Sequence, residues 1–213
     1  MSKKAFDFKK EYKDLYLPSK NKPMFIEVPA MNFIMVDGSG DPNNNSEFQQ
    51  AIALLYGLSF TIKMSKMKGK QPDDYFEYVV PPLEGLWWVE GESFSFSRRD
   101  NWKWTLMIRQ PDFVSPQFFE WAGSELKEKK PDLPIERSRF AVFEEGLCVQ
   151  IMHIGPYADE PQTMKKLADF IAEQSLKDLL ASGGKHHEIY LSDPTKSRPE
   201  NIKTVLRHPV SKV

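Results

Sequence analysis

Toward the end of the chain, His187-Glu188-Ile189-Tyr190-Leu191-Ser192 alternates polar and aliphatic residues. On a strand this sends Ile189 and Leu191 to one face and Glu188, Tyr190 and Ser192 to the other. If the aliphatic pair packs on helices, the carboxyl and the phenol look into the opposite surface. A glutamate in mid-strand is ordinarily a solvated residue on the wet face of an antiparallel sheet. Two further runs, Leu86-Trp87-Trp88-Val89 and Trp102-Lys103-Trp104-Thr105, carry four indoles, and alternation lets only some of them enter the core. A carboxylate ringed by Trp, Tyr and Phe suits a cationic or polarised aromatic ligand, because π faces attract positive charge and the buried anion adds a Coulomb attraction.

Other chemistries find less support. His186 and His187 are adjacent on a strand, so their rings point apart, and no metal site is expected there. His153 is read as a packed or hydrogen-bonded residue rather than a general base. The chain has no G-x-S-x-G elbow, and Gly38-Ser39-Gly40 lacks both the dinucleotide continuation and a phosphate-loop lysine. Cys148, the single cysteine, excludes an internal disulfide and a Cys-rich zinc site, and its apolar surroundings suit a small buried hydrophobe. No cofactor is expected. The basic stretch 63–70 reads as a solvated loop, with a lid over a groove as the sharper alternative.

The elements that must position these residues belong to a chain of 213 residues with 29 Lys+Arg against 30 Asp+Glu, a formal charge of -1. That balance offers no basic field for nucleic acid. Apolar residues make up 40%, with no run long enough to span a bilayer and no export signal at the start, so a soluble, cytoplasmic protein without a membrane partner is expected. Fifteen Phe, seven Tyr and five Trp are more rings than a core of this size ordinarily needs.

Residues 1–30 read as an N-terminal arm, with 31–213 a single domain. Strands are expected over 31–36, 75–80, 85–90 and 102–109, with a helix over 47–58 after the Gly-Asp-Pro turn. Ser115-Pro116 starts a linking helix over 115–130. Strands at 138–143 and 147–154, a helix over 161–181 and strands at 188–191 and 203–207 complete the chain. The order repeats: a methionine-bearing strand reaches a glycine turn at Gly38 and again at Gly155, and both halves end in an apolar strand with Arg-x-Pro. Pseudo-repeats over about 31–114 and 136–213 predict an α+β fold, in which tandem βαββ units form one antiparallel sheet. Two long helices lie on one face, and a ligand cleft follows the pseudo-twofold axis.

Several longer blocks, in order, resemble the GyrI-like small-molecule-binding family in its stand-alone form. They are Phe33-Ile34-Met35-Val36-Asp37-Gly38, Pro82-Leu83-Glu84-Gly85-Leu86-Trp87-Trp88, Trp104-Thr105-Leu106-Met107-Ile108-Arg109-Gln110-Pro111, Ile154-Gly155-Pro156-Tyr157 and His187-Glu188-Ile189-Tyr190. The resemblance implies tandem βαββ units with the cleft at their junction, and a glutamate late in the domain, here Glu188, that contacts cationic ligands. The sequence is most similar to the cyclopropanoid cyclopropyl hydrolases, which open the strained ring of DNA-alkylating natural products inside an aromatic cage.

That resemblance implies an enzyme without a cofactor, in which Glu188 orients a water against a ligand held between Trp88, Trp104, Phe140, Tyr157 and Tyr190, giving cellular protection from xenobiotics. The rival is a protein that binds or sequesters aromatic and cationic drugs without chemistry. An interaction with DNA gyrase is not expected, nor, without a helix-turn-helix module, direct control of transcription.

Overall fold

The computed structural model of the chain describes residues 4–91 and 99–212; residues 1–3, 213 and most of the polar loop expected between the tryptophan strands lie outside the described residues. Strands β1 (Met24–Val28), β2 (Met31–Ser39), β3 (Leu83–Val89), β4 (Trp102–Arg109), β5 (Ser138–Phe143), β6 (Gly146–Ile154), β7 (Leu176–Asp178), β8 (His186–Tyr190) and β9 (Lys203–Lys212) are joined with helices α1 (Phe8–Glu11), α2 (Lys13–Tyr16), α3 (Ser46–Lys63), α4 (Pro116–Lys129) and α5 (Glu160–Glu173). The strands form one antiparallel sheet in the order β1-β6-β9-β8-β3-β4-β2-β5, with β7 added to β9. Within it, β2-β4-β3 mirrors β6-β9-β8, so two strand-helix-strand-strand units meet where β3 pairs with β8.

Each long helix has a sequence reason for where it starts. The Asn45 side chain accepts from Glu47 N at 2.9 Å and caps α3. Ser115 Oγ accepts from Phe118 N at 3.1 Å at the start of α4, where Pro116 gives up no needed donor. On α3, Leu54, Leu55, Leu58 and Ile62 form a fully buried stripe, each side chain worth roughly 1.5–3 kcal/mol by removal from water. α3 packs on β2 and β4, and α5 on β6 and β7, which leaves the central pair β3 and β8 between them.

The cross-strand register shows that both helices share a face. Val36, Leu106, Gly85, Glu188, Leu206 and Ile151 are successive partners across six strands, so their side chains stand on one side. Leu206 and Ile151 pack with Leu167 and Ile171 of α5. Two residues from Gly85 on this side, Trp87 meets Phe48 of α3 at 5.8 Å between ring centres. The predicted α+β arrangement, two long helices on one face of an antiparallel sheet, is therefore present.

Four local expectations change. Residues 24–28, assigned to the arm, form strand β1 on the edge beside β6. Residues 75–80 are not a strand; Tyr78 makes an isolated bridge to Phe6. The expected helix over 161–181 ends at Glu173, because Ser175 turns at φ 53° and Leu176–Asp178 pairs with β9. Strand β5, expected near the start of the second unit, pairs with β2 of the first, and the second unit's order begins at β6.

Candidate functional site

Glu188 occupies the middle of the central row. The register that pairs it with Gly85 puts it on the helix-bearing face, the reverse of the orientation expected from Ile189 and Leu191. Ile189 is buried on the other side. Sequence alternation assigns a residue to one of two faces without saying which face the helices cover, and here the second face is also buried.

Gly85 is needed beside Glu188. A Cβ there would lie 2.8 Å from Trp87 Nε1 and 3.1 Å from the Tyr190 hydroxyl, and those two groups meet over the glycine. Trp87 Nε1 donates to the Tyr190 hydroxyl at 3.1 Å, and that hydroxyl donates to Glu188 Oε2 at 2.7 Å. The other carboxyl oxygen, Oε1, lies 3.1 Å from His186 Nε2. Glu188 is thus held from both sides, and only 7% of it reaches solvent. Burial, and then the neighbouring Glu188 charge, push the Tyr190 hydroxyl well above the usual phenol range, so it is a standing donor.

The Gly155-Pro156 turn brings two more groups. Tyr157 meets Tyr190 edge to face at 6.3 Å, and its hydroxyl is pushed up to about 12 by burial and by Glu188. Glu160, in the first turn of α5, is 2% exposed, and its Oε1 has no hydrogen-bond partner among the described residues. Desolvation, with the Glu188 charge second, raises its carboxyl to about 10, which keeps it protonated at neutral pH. Glu160 was not singled out in the sequence. A glutamate at the start of a helix is normally a partner of the helix dipole, and only the fold reveals that this one is buried against a second carboxyl.

Of the six predicted site residues, the structure brings three together: Glu188, Tyr157 and Tyr190. Trp88 is a correction. It follows Trp87 on β3 and so takes the opposite face, where Lys185 Nζ lies 3.8 Å from its ring centre. Trp87 stands in its place. Trp104 is on the correct face but fully buried beneath Gly38, with Phe48 against it at 5.2 Å, and it presents no ring surface in this structure. Phe140 lies on β5, four strands from β8, and stacks on Phe119 of α4 at 6.0 Å. It belongs to the packing under α4.

The opposite face of the same strands holds a separate buried polar cluster. His187 Nε2 lies 3.0 Å from Glu84 and Nδ1 2.9 Å from Glu145, whose carboxyl also accepts from Arg207 at 3.2 Å. Burial alone would lower the imidazole, but the two carboxyls hold it protonated, at about 9. Burial alone would raise Glu145, yet His187 and Arg207 bring it down to about 2. Arg207 also donates to Leu15 O at 2.8 Å and Gln150 to Asp14 O at 2.5 Å, so the arm is docked as a cover. His186 and His187 do diverge, one to each face. His153 is buried and bonded, 2.9 Å from Thr163 Oγ1 and 3.2 Å from Pro156 O. Cys148 is buried, and desolvation raises its thiol. Among the described residues, no cluster of His, Cys, Asp or Glu is placed to hold a metal, and no helix is long and apolar enough to cross a membrane.

A mirrored antiparallel sheet with a carboxyl at its central row, tucked between two helices and backed by aromatic rings, defines a two-lobed small-molecule-binding fold. The model of the GyrI-like small molecule binding domain matches residues 21–211, and the chain belongs to that family. Among solved structures, a conserved protein from Listeria innocua is 50% identical with a TM-score of 0.92, covering 97% of this chain and 100% of its own. Two hydrolases from the same organism are 48% and 49% identical, with TM-scores of 0.87 and 0.90; they cover 97% and 98% of this chain and all of their own. The C-terminal domain of EcmrR, 14% identical with a TM-score of 0.56 over 90% of this chain and 98% of its own, shares the fold. No curated protein matches the chain.

Proposed function

We propose that this protein hydrolyses cyclopropanoid DNA-alkylating compounds, and that the site between α3 and α5 is its active site. The observation that carries the reading is the pair Glu188 and Glu160, two carboxyls in one buried site, with Glu160 pushed up by burial and by the charge of Glu188. Glu160 is held neutral, while Glu188 accepts from the Tyr190 hydroxyl on one oxygen and faces His186 Nε2 with the other. A carboxyl kept neutral beside a second, hydrogen-bonded carboxyl can serve as the acid of the pair. The 48–50% identity to Listeria proteins, two of them hydrolases, supports the reaction class.

In this mechanism Glu188 takes a proton from water as the water oxygen bonds to the cyclopropyl carbon. The strained carbon–carbon bond breaks, its electron pair moves into the conjugated dienone, and the resulting phenolate oxygen takes the proton of Glu160. Tyr157 and Tyr190 flank the planar ligand, and Trp87, packed against Phe48 and Trp102, holds the Tyr190 hydroxyl in place. The electrophile is already strained, so positioning and exclusion of water do much of the work, and the base adds roughly 10²–10⁴-fold. Incubating the protein with a cyclopropanoid should give a water adduct, read by mass spectrometry, that grows beyond one equivalent, and Glu188→Gln should slow it by about 10²-fold or more. Glu188→Gln at the wild-type rate would remove Glu188 as the base. A plateau at one equivalent would instead favour the sequestering protein.

A further inference from the structure

On the His186 side of Glu188, the structure contains a continuous line of titratable groups that the mechanism above does not use. Glu188 Oε1 lies 3.1 Å from His186 Nε2, His186 Nδ1 lies 3.0 Å from His208 Nε2, and His208 Nδ1 lies 2.8 Å from Asp178 Oδ2. His186 and His208 are buried at 0% and 2% exposure, while 31% of the Asp178 side chain is open to solvent. The line is fixed by the fold. His186 and His208 stand on neighbouring strands β8 and β9, and Asp178 reaches His208 only because α5 stops at Glu173 and hands the chain to β7.

The order of protons along this line is constrained. Asp178 as a carboxylate only accepts, so His208 carries its proton on Nδ1 and leaves Nε2 bare. Bare Nε2 must then receive the Nδ1 proton of His186. A neutral His186 therefore turns a bare Nε2 toward Glu188, and one further proton occupies that last link. Burial keeps His208 below the usual imidazole range, and the His208 contact overcomes burial to hold Asp178 low, as this order requires.

We propose that Asp178, His208 and His186 form a proton relay that serves Glu188, with Asp178 as its mouth at the surface. It rests on the reading of Glu188 as the proton-handling group of the site. A proton on Glu188 passes to His186 Nε2, the Nδ1 proton of His186 passes to His208 Nε2, and the Nδ1 proton of His208 passes to Asp178, which releases it to water. One proton enters and one leaves. The passage reverses the tautomer of both imidazoles, and the reverse passage restores them as it returns a proton to Glu188. The line discharges Glu188 once for each setting of the rings while a flat ligand covers the site, and the negative charge of Asp178 draws the shared proton from Glu188 toward the histidines. Asp178, His208 and His186 are positioning residues, since none is placed at the ligand.

The other charged and titratable groups around the line are Glu160, Tyr157 and Tyr190 at Glu188, Arg99 toward Glu160, and Glu145 toward His208. None of them is altered in the test. Difference infrared spectra of the ligand-free protein across pH, with the Glu188 band assigned by subtracting Glu188→Gln, read the protonated-carboxyl stretch directly. Asp178→Asn should raise the protonated fraction of Glu188 at neutral pH and move its midpoint upward by about one pH unit, a tenfold change in proton affinity. His208→Gln should move it in the same direction, and Asp178→Glu should restore the wild-type midpoint. Midpoints in Asp178→Asn and His208→Gln that coincide with wild type overturn the relay. No ligand enters this measurement, so absence of cyclopropanoid turnover and failure of the relay are separate results.

Discussion

Replacing Glu160 by glutamine should change the pH dependence of stability in a direction that few buried-residue substitutions share. Glu160 is 2% exposed and its carboxyl is raised from 4.5 to about 10, by burial first and the Glu188 charge second. A raised carboxyl means that the folded state binds a proton the unfolded chain has already lost. Stability therefore falls as pH rises above 4.5, by at most about 1.4 kcal/mol per pH unit, and the loss continues until the folded-state value is passed. At neutral pH the limit is about 3 kcal/mol, and coupling to Glu188 brings a realistic figure to roughly 1–2 kcal/mol. Glutamine removes this titration but leaves a buried amide poorly bonded, which costs about 1–3 kcal/mol at every pH. The variant should be no more stable than wild type near pH 5 on this reckoning, and should gain on it steadily toward pH 8. For a chain of this length, that gain is about 2–8 °C in Tm. Calorimetric unfolding of both proteins at a series of pH values measures it. Two Tm curves that run parallel from about pH 5 to about pH 8 would refute the claim that Glu160 is held protonated.

Three further outcomes follow from the same geometry. Trp87→Phe should weaken binding of an aromatic cation, read by fluorescence titration, by roughly tenfold because Tyr190 loses its donor, whereas Trp88→Phe should leave the affinity within about twofold. Gly38→Ala forces a Cβ to within 2.1 Å of the Trp104 ring, and should lower stability in urea unfolding by about 1–3 kcal/mol. His187 is raised to about 9, so its stabilising charge is complete below 6.5 and is lost as pH rises through 9; denaturant midpoints should fall over that window in wild type and stay flatter in His187→Gln.

Much of the architecture was legible because it depends on local pattern. The strand runs at 31–36, 102–109 and 147–154, the Ser115 cap and the duplicated order all come from residue periodicity and turn chemistry, which act over a few neighbours. The end of α5 was not legible. Leu176-Lys177-Asp178 is an ordinary continuation of a helix by composition, and only pairing with Val210, Ser211 and Lys212 makes it a strand. Strand β1 was hidden in a lysine-rich arm for the same reason, since its partner β6 lies more than a hundred residues away.

Within the site, the sequence by itself determined the chemistry available: one glutamate and one tyrosine sharing a strand face, a pair of adjacent histidines bound to diverge, and four indoles on two strand runs, three of which the core takes up. Which indole stands beside that glutamate was decided by register, since pairing Gly85 with Glu188 brings Trp87 to its side and sends Trp88 away. The burial of Glu160, and the meeting of His208 with His186 and Asp178, likewise exist only after distant strands align. Side-chain type is a local property and can be read one residue at a time. Desolvation and hydrogen bonding depend on what the rest of the chain places within a few ångströms, and that is fixed only by the assembled sheet.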